Sequence, residues 1–183
     1  MDNLKRIGLY GVSGTGKTTI LKEVIKLTSN VIWLEGSQLI INAAGMTLEQ
    51  FKKLNDKEKY FFREKAIDAA FEIQSKENKN IIIDGHLVFA KGENEFENVM
   101  TEKDKTFYTD YIYLNLQTEI ILQRQQNDNN KKRIHSANTI SNWVTFELQE
   151  LKQFCHDHNL NLSILQSIDK KECVEFICNY VKK

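Results

Sequence analysis

Among its 183 residues the chain has no proline at all and only four arginines, Arg6, Arg63, Arg124 and Arg133, so 21 of its 25 basic side chains are lysines. Without proline, and with no low-complexity stretch, there is no Pro-rich linker of the kind that joins separate domains. Net charge is also missing: 25 acidic groups balance the 25 basic ones. That removes the bulk electrostatic pull of a protein that coats nucleic acid, which leaves nucleic acid as a disfavoured partner. No apolar run approaches the ~18 residues of a membrane span. The opening Met1-Asp2-Asn3-Leu4-Lys5-Arg6 does not resemble a signal peptide, so no membrane is expected and the expected location is cytoplasmic. Cysteine is scarce as well. Cys155, Cys173 and Cys178 are odd in number and spaced unlike zinc ligands, which reads as reduced thiols packing as small apolar groups.

What is present is an alternation. Short β-rich runs at Leu4–Tyr10, Asn30–Leu34, Asn80–Asp84, Asp110–Leu116 and Leu160–Ile168 are nearly continuous apolar stretches, the mark of strands buried on both faces. Helical segments lie between them, with start signals at Thr47/Gln50, Asn55/Glu58 and Asp169/Glu172, each a capping residue and its partner three positions on. The pattern predicts one α/β domain over residues 1–183 with a parallel sheet and helices on both faces. Residues 36–79 hold roughly two helices where one crossover would do, an added helical arm near the ligand edge of the sheet.

The strongest motif is Gly11-Val12-Ser13-Gly14-Thr15-Gly16-Lys17-Thr18, between a strand and a helix expected from Thr19 to about Leu27. Its glycines let the backbone aim N–H groups at phosphate oxygens, at a helix N-terminus that favours anions. Gly11, Ser13, Gly14, Thr15, Gly16, Lys17, Thr18 and Thr19 are therefore the candidate nucleotide-binding residues. Lys17 can reach the β- and γ-phosphates, Thr18 offers a hydroxyl to Mg²⁺, and Thr19 lies where the α-phosphate would be. The run Ile81-Ile82-Ile83-Asp84 delivers a carboxylate to the end of a buried strand, which makes Asp84 the second candidate metal residue. A regulatory GTPase would need an Asp-x-x-Gly switch and an Asn-Lys-x-Asp reader, and a motor ATPase an acidic pair closing that strand. Asp84-Gly85-His86-Leu87 and Asn78-Lys79-Asn80-Ile81 supply none of these. A phosphotransferase needs a cradle, an acceptor arm after the second strand and a basic lid after the fourth. Arg124 and Arg133 flank a polar stretch suited to that lid.

These residues together resemble the adenylate-kinase-like small P-loop kinases, and most of all the archaeal type of adenylate kinase. The likeness rests on Gly11–Thr19, Glu35-Gly36-Ser37-Gln38-Leu39, Phe51-Lys52-Lys53-Leu54, Asp84-Gly85-His86, and Leu122-Gln123-Arg124-Gln125 with Asp128 and Arg133. It implies a P-loop NTPase three-layer sandwich of strand order 2-3-1-4-5, an acceptor arm about 36–70 and a lid about 124–137. It further implies transfer of the γ-phosphoryl group of ATP, with Mg²⁺, to a small acceptor such as a nucleoside monophosphate. Lys17, Asp84, Arg124 and Arg133 would be catalytic, and Ser37 and Lys52 would meet the acceptor; by position, Arg63 on the helix from Asn55 either reaches an acceptor phosphate or pairs with a nearby Glu, and His86 either orients a phosphate or substrate oxygen or is a hydrogen-bonded structural histidine. A homo-oligomer is left open. The sequence departs from that family in carrying Leu48 and Lys52 where arginines stand, and Lys91-Gly92-Glu93-Asn94-Glu95-Phe96-Glu97 in place of a Gly/Pro-rich acceptor loop. Alternative readings are a polynucleotide 5′-end or metabolite kinase, or an ATP-binding switch without an acceptor.

Other clusters read more simply. Phe61, Phe62 and Phe71 are expected in the core, and Cys155-His156-Asp157-His158 as the basic end of a helix rather than a metal site.

Overall fold

The computed structural model describes residues 4–128, 136–166 and 169–182. Strand β1 (Arg6–Tyr10) leads through the glycine-rich loop into helix α1 (Lys17–Leu27), and β2 (Val31–Glu35) runs straight into α2 (Gly36–Ala44). Helices α3 (Leu48–Lys52) and α4 (Asp56–Glu77) precede β3 (Asn80–Asp84). A hairpin of β4 (Val88–Ala90) and β5 (Phe96–Asn98) follows, then α5 (Glu102–Phe107), β6 (Asp110–Leu114), α6 (Thr118–Gln126), α7 (Ala137–Asp157), β7 (Asn161–Leu165) and α8 (Lys170–Tyr180).

The main sheet is parallel, in the order β2-β3-β1-β6-β7. Its strands taken alone follow the order 2-3-1-4-5; the numbers differ because the antiparallel hairpin is inserted between the third and fourth. Alternation sends successive side chains to opposite faces. Ile7, Leu9, Ile82, Ile112 and Leu114 pack beneath α1 and α8. Tyr10, Ile81, Ile83, Tyr111 and Tyr113 pack on the other face, against α4 and α7. This is an α/β three-layer arrangement with two cores. Gly8 is required where the second core is tightest, since a Cβ there would lie 2.9 Å from the Tyr111 ring, which stacks on Tyr10 at 5.5 Å.

The arm differs from expectation: residues 36–79 hold three helices, not two, because the Thr47 capping box starts a five-residue helix of its own. Thr47 and Asn55 both form full capping boxes. At the start of α8 the Asp169 side chain accepts from the Lys171 amide at 2.7 Å. Helix α1 starts at Lys17, two residues before the predicted start. Strand β1 starts later than its apolar pattern, because the Lys5 amide is taken by the Asn80 side chain at 2.8 Å. Phe61 and Phe71 are about half exposed on α4, contrary to the core position expected, because Ala66 and Ala70 occupy its inward stripe. No helix of the described residues is long and apolar enough to cross a membrane.

Candidate active site

The cradle is built by conformation first. Gly11, Gly14 and Gly16 have φ of 141°, 99° and 96°, a region open mainly to glycine. Space forbids a side chain as well: a Cβ on Gly11 would come 2.8 Å from the Leu114 carbonyl, and one on Gly14 3.1 Å from Gln125 Cγ.

Side chains tie the loop's carbonyls from several directions. Lys17 Nζ donates to the Gly11 carbonyl and, at 3.4 Å, to that of Val12. Thr15 Oγ1 donates to Val12 O at 3.0 Å. From α6, Gln125 Nε2 donates to Ser13 O at 2.6 Å and Arg124 Nη1 to Thr15 O at 2.9 Å. A loop whose carbonyls are held in this way presents its amides to an anion. Thr18 and Thr19 are exposed at the first turn of α1. Beside them lies a cavity of about 280 Å³ lined by Gly16, Thr19, Ile20, Leu116, Arg124 and Cys173 among others, apolar on most sides with a guanidinium at its rim.

The parallel register brings β2 and β3 to the same edge, with Glu35 paired to Asp84. Asp84 Oδ1 accepts from Trp33 Nε1 at 3.0 Å. Gly36 permits this junction, because a Cβ there would sit 2.6 Å from the Asp84 carbonyl. Beyond Asp84 the chain turns through His86, whose ring lies 5.4 Å from Phe89 and 6.0 Å from Trp143.

Helix α7 grips that turn. Glu147, fully buried, accepts from the amides of Leu87 (3.0 Å) and Val88 (3.3 Å) and from the Tyr113 hydroxyl (3.2 Å), while Trp143 Nε1 donates to Val88 O at 2.9 Å. Burial raises the Glu147 carboxyl to about 7, against a lowering by Lys17, the two amides and Tyr113. Desolvation beside that carboxylate also raises the Tyr113 hydroxyl.

The other predicted acceptor residues of the arm lie on its three successive helices. Ser37 is exposed on the first turn of α2 and Lys52 is exposed at the end of α3. Arg63 is partly buried on α4; desolvation lowers its guanidinium while Glu97, Asp104 and Asp56 oppose that. Lys91 bonds Glu97 at 3.0 Å. Arg133 lies outside the described residues. His156 contacts Asp157 at 3.2 Å, and no cluster of metal-ligating side chains occurs among the described residues.

Sequence reasoning did not assign Trp33, Glu35, Gln125 or Glu147 a role. Glu147 had a signal: it interrupts the buried stripe Ile140, Trp143, Leu151 and Cys155 of α7, where an acid needs partners.

The sequence matches the AAA domain family over residues 10–141. The chain belongs to that family. Its fold is similar to solved small-molecule kinases. Shikimate kinase from Acinetobacter baumannii, in complex with shikimate, is 17% identical with a TM-score of 0.62, covering 99% of this chain and 94% of its own. Shikimate kinase from Bacteroides thetaiotaomicron is 16% identical (TM-score 0.60; 98% and 99% covered). A sugar kinase from Janibacter sp. is 14% identical (TM-score 0.62; 98% and 95% covered). No curated protein matches the sequence. The fold is that of a small P-loop kinase.

Proposed function

We propose that the protein is an ATP-dependent, Mg²⁺-assisted phosphotransferase that moves the γ-phosphoryl group to a small acceptor. The observation that carries this is the glycine loop of positive φ, its carbonyls tied back, opening beside a cavity of base size lined in part by Arg124. The residues fit a nucleotide. Gly11, Ser13, Gly14, Thr15 and Gly16 would cradle phosphates through their amides, Lys17 would leave the Gly11 and Val12 carbonyls for a phosphate oxygen, and Thr19 and Arg124 would border the donor. Thr18 and Asp84 would hold Mg²⁺, which supplies charge neutralisation on the phosphate oxygens when bound. Arg133 is assigned to the lid with Arg124. The single domain, the arm about 36–70 and the lid about 124–137 belong to the same reading, as does a cytoplasmic setting, in line with Cys155, Cys173 and Cys178 standing outside any disulfide.

The acceptor would enter between the arm and the 86–98 segment, meeting Ser37, Lys52, Arg63 and His86. A nucleoside monophosphate is the acceptor that the archaeal adenylate kinase likeness implies. A hydroxylated metabolite is the second reading, and one observation favours it: the carboxylates Glu97, Asp104 and Asp56 already bear on Arg63, and Glu35 stands beside Asp84 in the strand register. Carboxylates recognise hydroxyl donors and repel phosphate. The structural neighbours are kinases of shikimate and of a sugar.

ADP release from the purified protein, screened against nucleoside monophosphates and hydroxylated metabolites, tests the reading; turnover stimulated by one of them is expected. Lys17→Ala is expected to abolish transfer, and persisting activity would remove the P-loop from the mechanism.

A further inference from the structure

Two successive side chains of α6 meet the phosphate cradle. Arg124 also lines the neighbouring cavity; Gln125, the next residue, has no part in any step written above. It is 3% exposed, and its Nε2 donates to the Ser13 carbonyl at 2.6 Å. Only the nitrogen of a carboxamide can serve that close to a carbonyl, so the side chain is held one way round. Its Oε1 is then buried with no hydrogen-bond partner among the described residues. The oxygen contributes no bond to the fold, and the nitrogen gives its bond to the loop.

The Ser13 carbonyl and the Gly14 amide share one peptide plane, and in a trans peptide they point in opposite directions. Gly14 has a φ of 99°, and glycine adopts the opposite sign about as readily, so the loop alone does not decide which way that plane faces. A partner from outside the loop must decide it. We infer that Gln125 is a positioning residue: by drawing the Ser13 carbonyl toward α6 it turns the Gly14 amide away from that helix, to the side where a phosphate is held. The inference rests on the reading that nucleotide phosphates bind at the P-loop. The fit is close, since a Cβ on Gly14 would lie 3.1 Å from Gln125 Cγ. Arg124 does the same for the next plane but one, where its bond to the Thr15 carbonyl orients the Gly16 amide. An amide already aimed at the anion needs no reorganisation when the nucleotide arrives, which is where the gain in affinity comes from.

The test is Gln125→Met, which keeps the length of the side chain and removes the donor together with the unpartnered oxygen. Mg²⁺-ADP is titrated into both proteins by calorimetry, and the glycine amides are followed by NMR after selective ¹⁵N-glycine labelling. In the wild type the Gly14 amide proton is expected to move downfield as ADP binds, the mark of a charge-assisted bond to phosphate. The Met variant should bind ADP about tenfold more weakly and lose that displacement at saturating ADP. A merely structural role predicts a lower urea midpoint with the Gly14 displacement intact. Unchanged ADP affinity, or weaker binding with the displacement retained, would overturn the inference, as would a wild-type Gly14 amide that ADP leaves in place. Should the Met variant not fold, Gln125→Asn, whose carboxamide is one carbon short of the Ser13 carbonyl, takes its place in the same measurements; if neither folds, Gln125 is a structural support and the inference falls. Wild-type protein that binds no ADP would sink the phosphotransferase reading itself, a different failure from equal binding by the two proteins.

Discussion

A carboxyl group buried like that of Glu147 ties stability to pH, and the sign follows from its titration. Its value is raised from 4.5 to about 7 in the folded chain. Between those values the native state keeps a proton that the unfolded chain has released, so the stability it supplies is full below 4.5 and is lost as pH rises through about 7. Glu147→Gln has no such dependence. Urea midpoints are expected to favour the variant increasingly from about pH 4.5 to about pH 8, by a total on the order of a few kcal/mol; parallel curves for the two proteins would refute this. At this scale the sequence was legible in part. Lys17, Thr18 and the three loop glycines announce themselves because a phosphate cradle needs fixed spacing. Glu147, Gln125 and Trp33 act through partners far along the chain, and no local pattern marks those partners.

Elements follow the strength of their local signals. The two capping boxes of the arm are plain in the sequence because their donors and acceptors lie three residues apart. Asn55 accepts from the Glu58 amide at 3.0 Å, and Glu58 returns the bond to the Asn55 amide at 3.1 Å. Asn55→Ala should cost about 1 kcal/mol, read as a lower urea midpoint with ATP binding unchanged, since the cap is exposed and distant from the cradle. The hairpin of β4 and β5 escaped notice for the opposite reason. Strands of three residues are too short to show a period of two, and the pairing of Phe89 with Glu97 is set by the turn between them. Helix α5 is similarly brief, so its Thr101–Asp104 box, with the Asp104 carboxylate accepting from the Thr101 amide at 2.6 Å, is visible only in the fold.

For the molecule as a whole, the apolar strands and the helical stretches between them made the layered parallel sheet legible, since each strand has to be buried on both sides. What closes the far edge of the sheet was not legible. Asp110, at the start of β6, accepts from Tyr180 Oη at 2.7 Å, from Asn161 Nδ2 at 3.2 Å and from Thr109 Oγ1 at 2.7 Å, which joins β7 and the last helix to the sheet. It is 5% exposed. Asp110→Ala removes the acceptor that three polar groups share and should cost about 1–3 kcal/mol, with amide exchange in α8 quickening ahead of that in β1 and β3. Uniform loss of protection across the chain would count against this anchoring role.

The parallel order has one more effect. Because β1, β2, β6 and β7 all run the same way, α1, α2, α6 and α8, which follow them, begin at one edge of the sheet. The aligned peptide dipoles of those helices point their positive ends there. A chain whose 25 cations cancel its 25 anions has no net monopole to draw a distant anion. It nonetheless carries a short-range field at that edge, made of backbone rather than side chains, which neither acid nor alkali can titrate away while the fold persists.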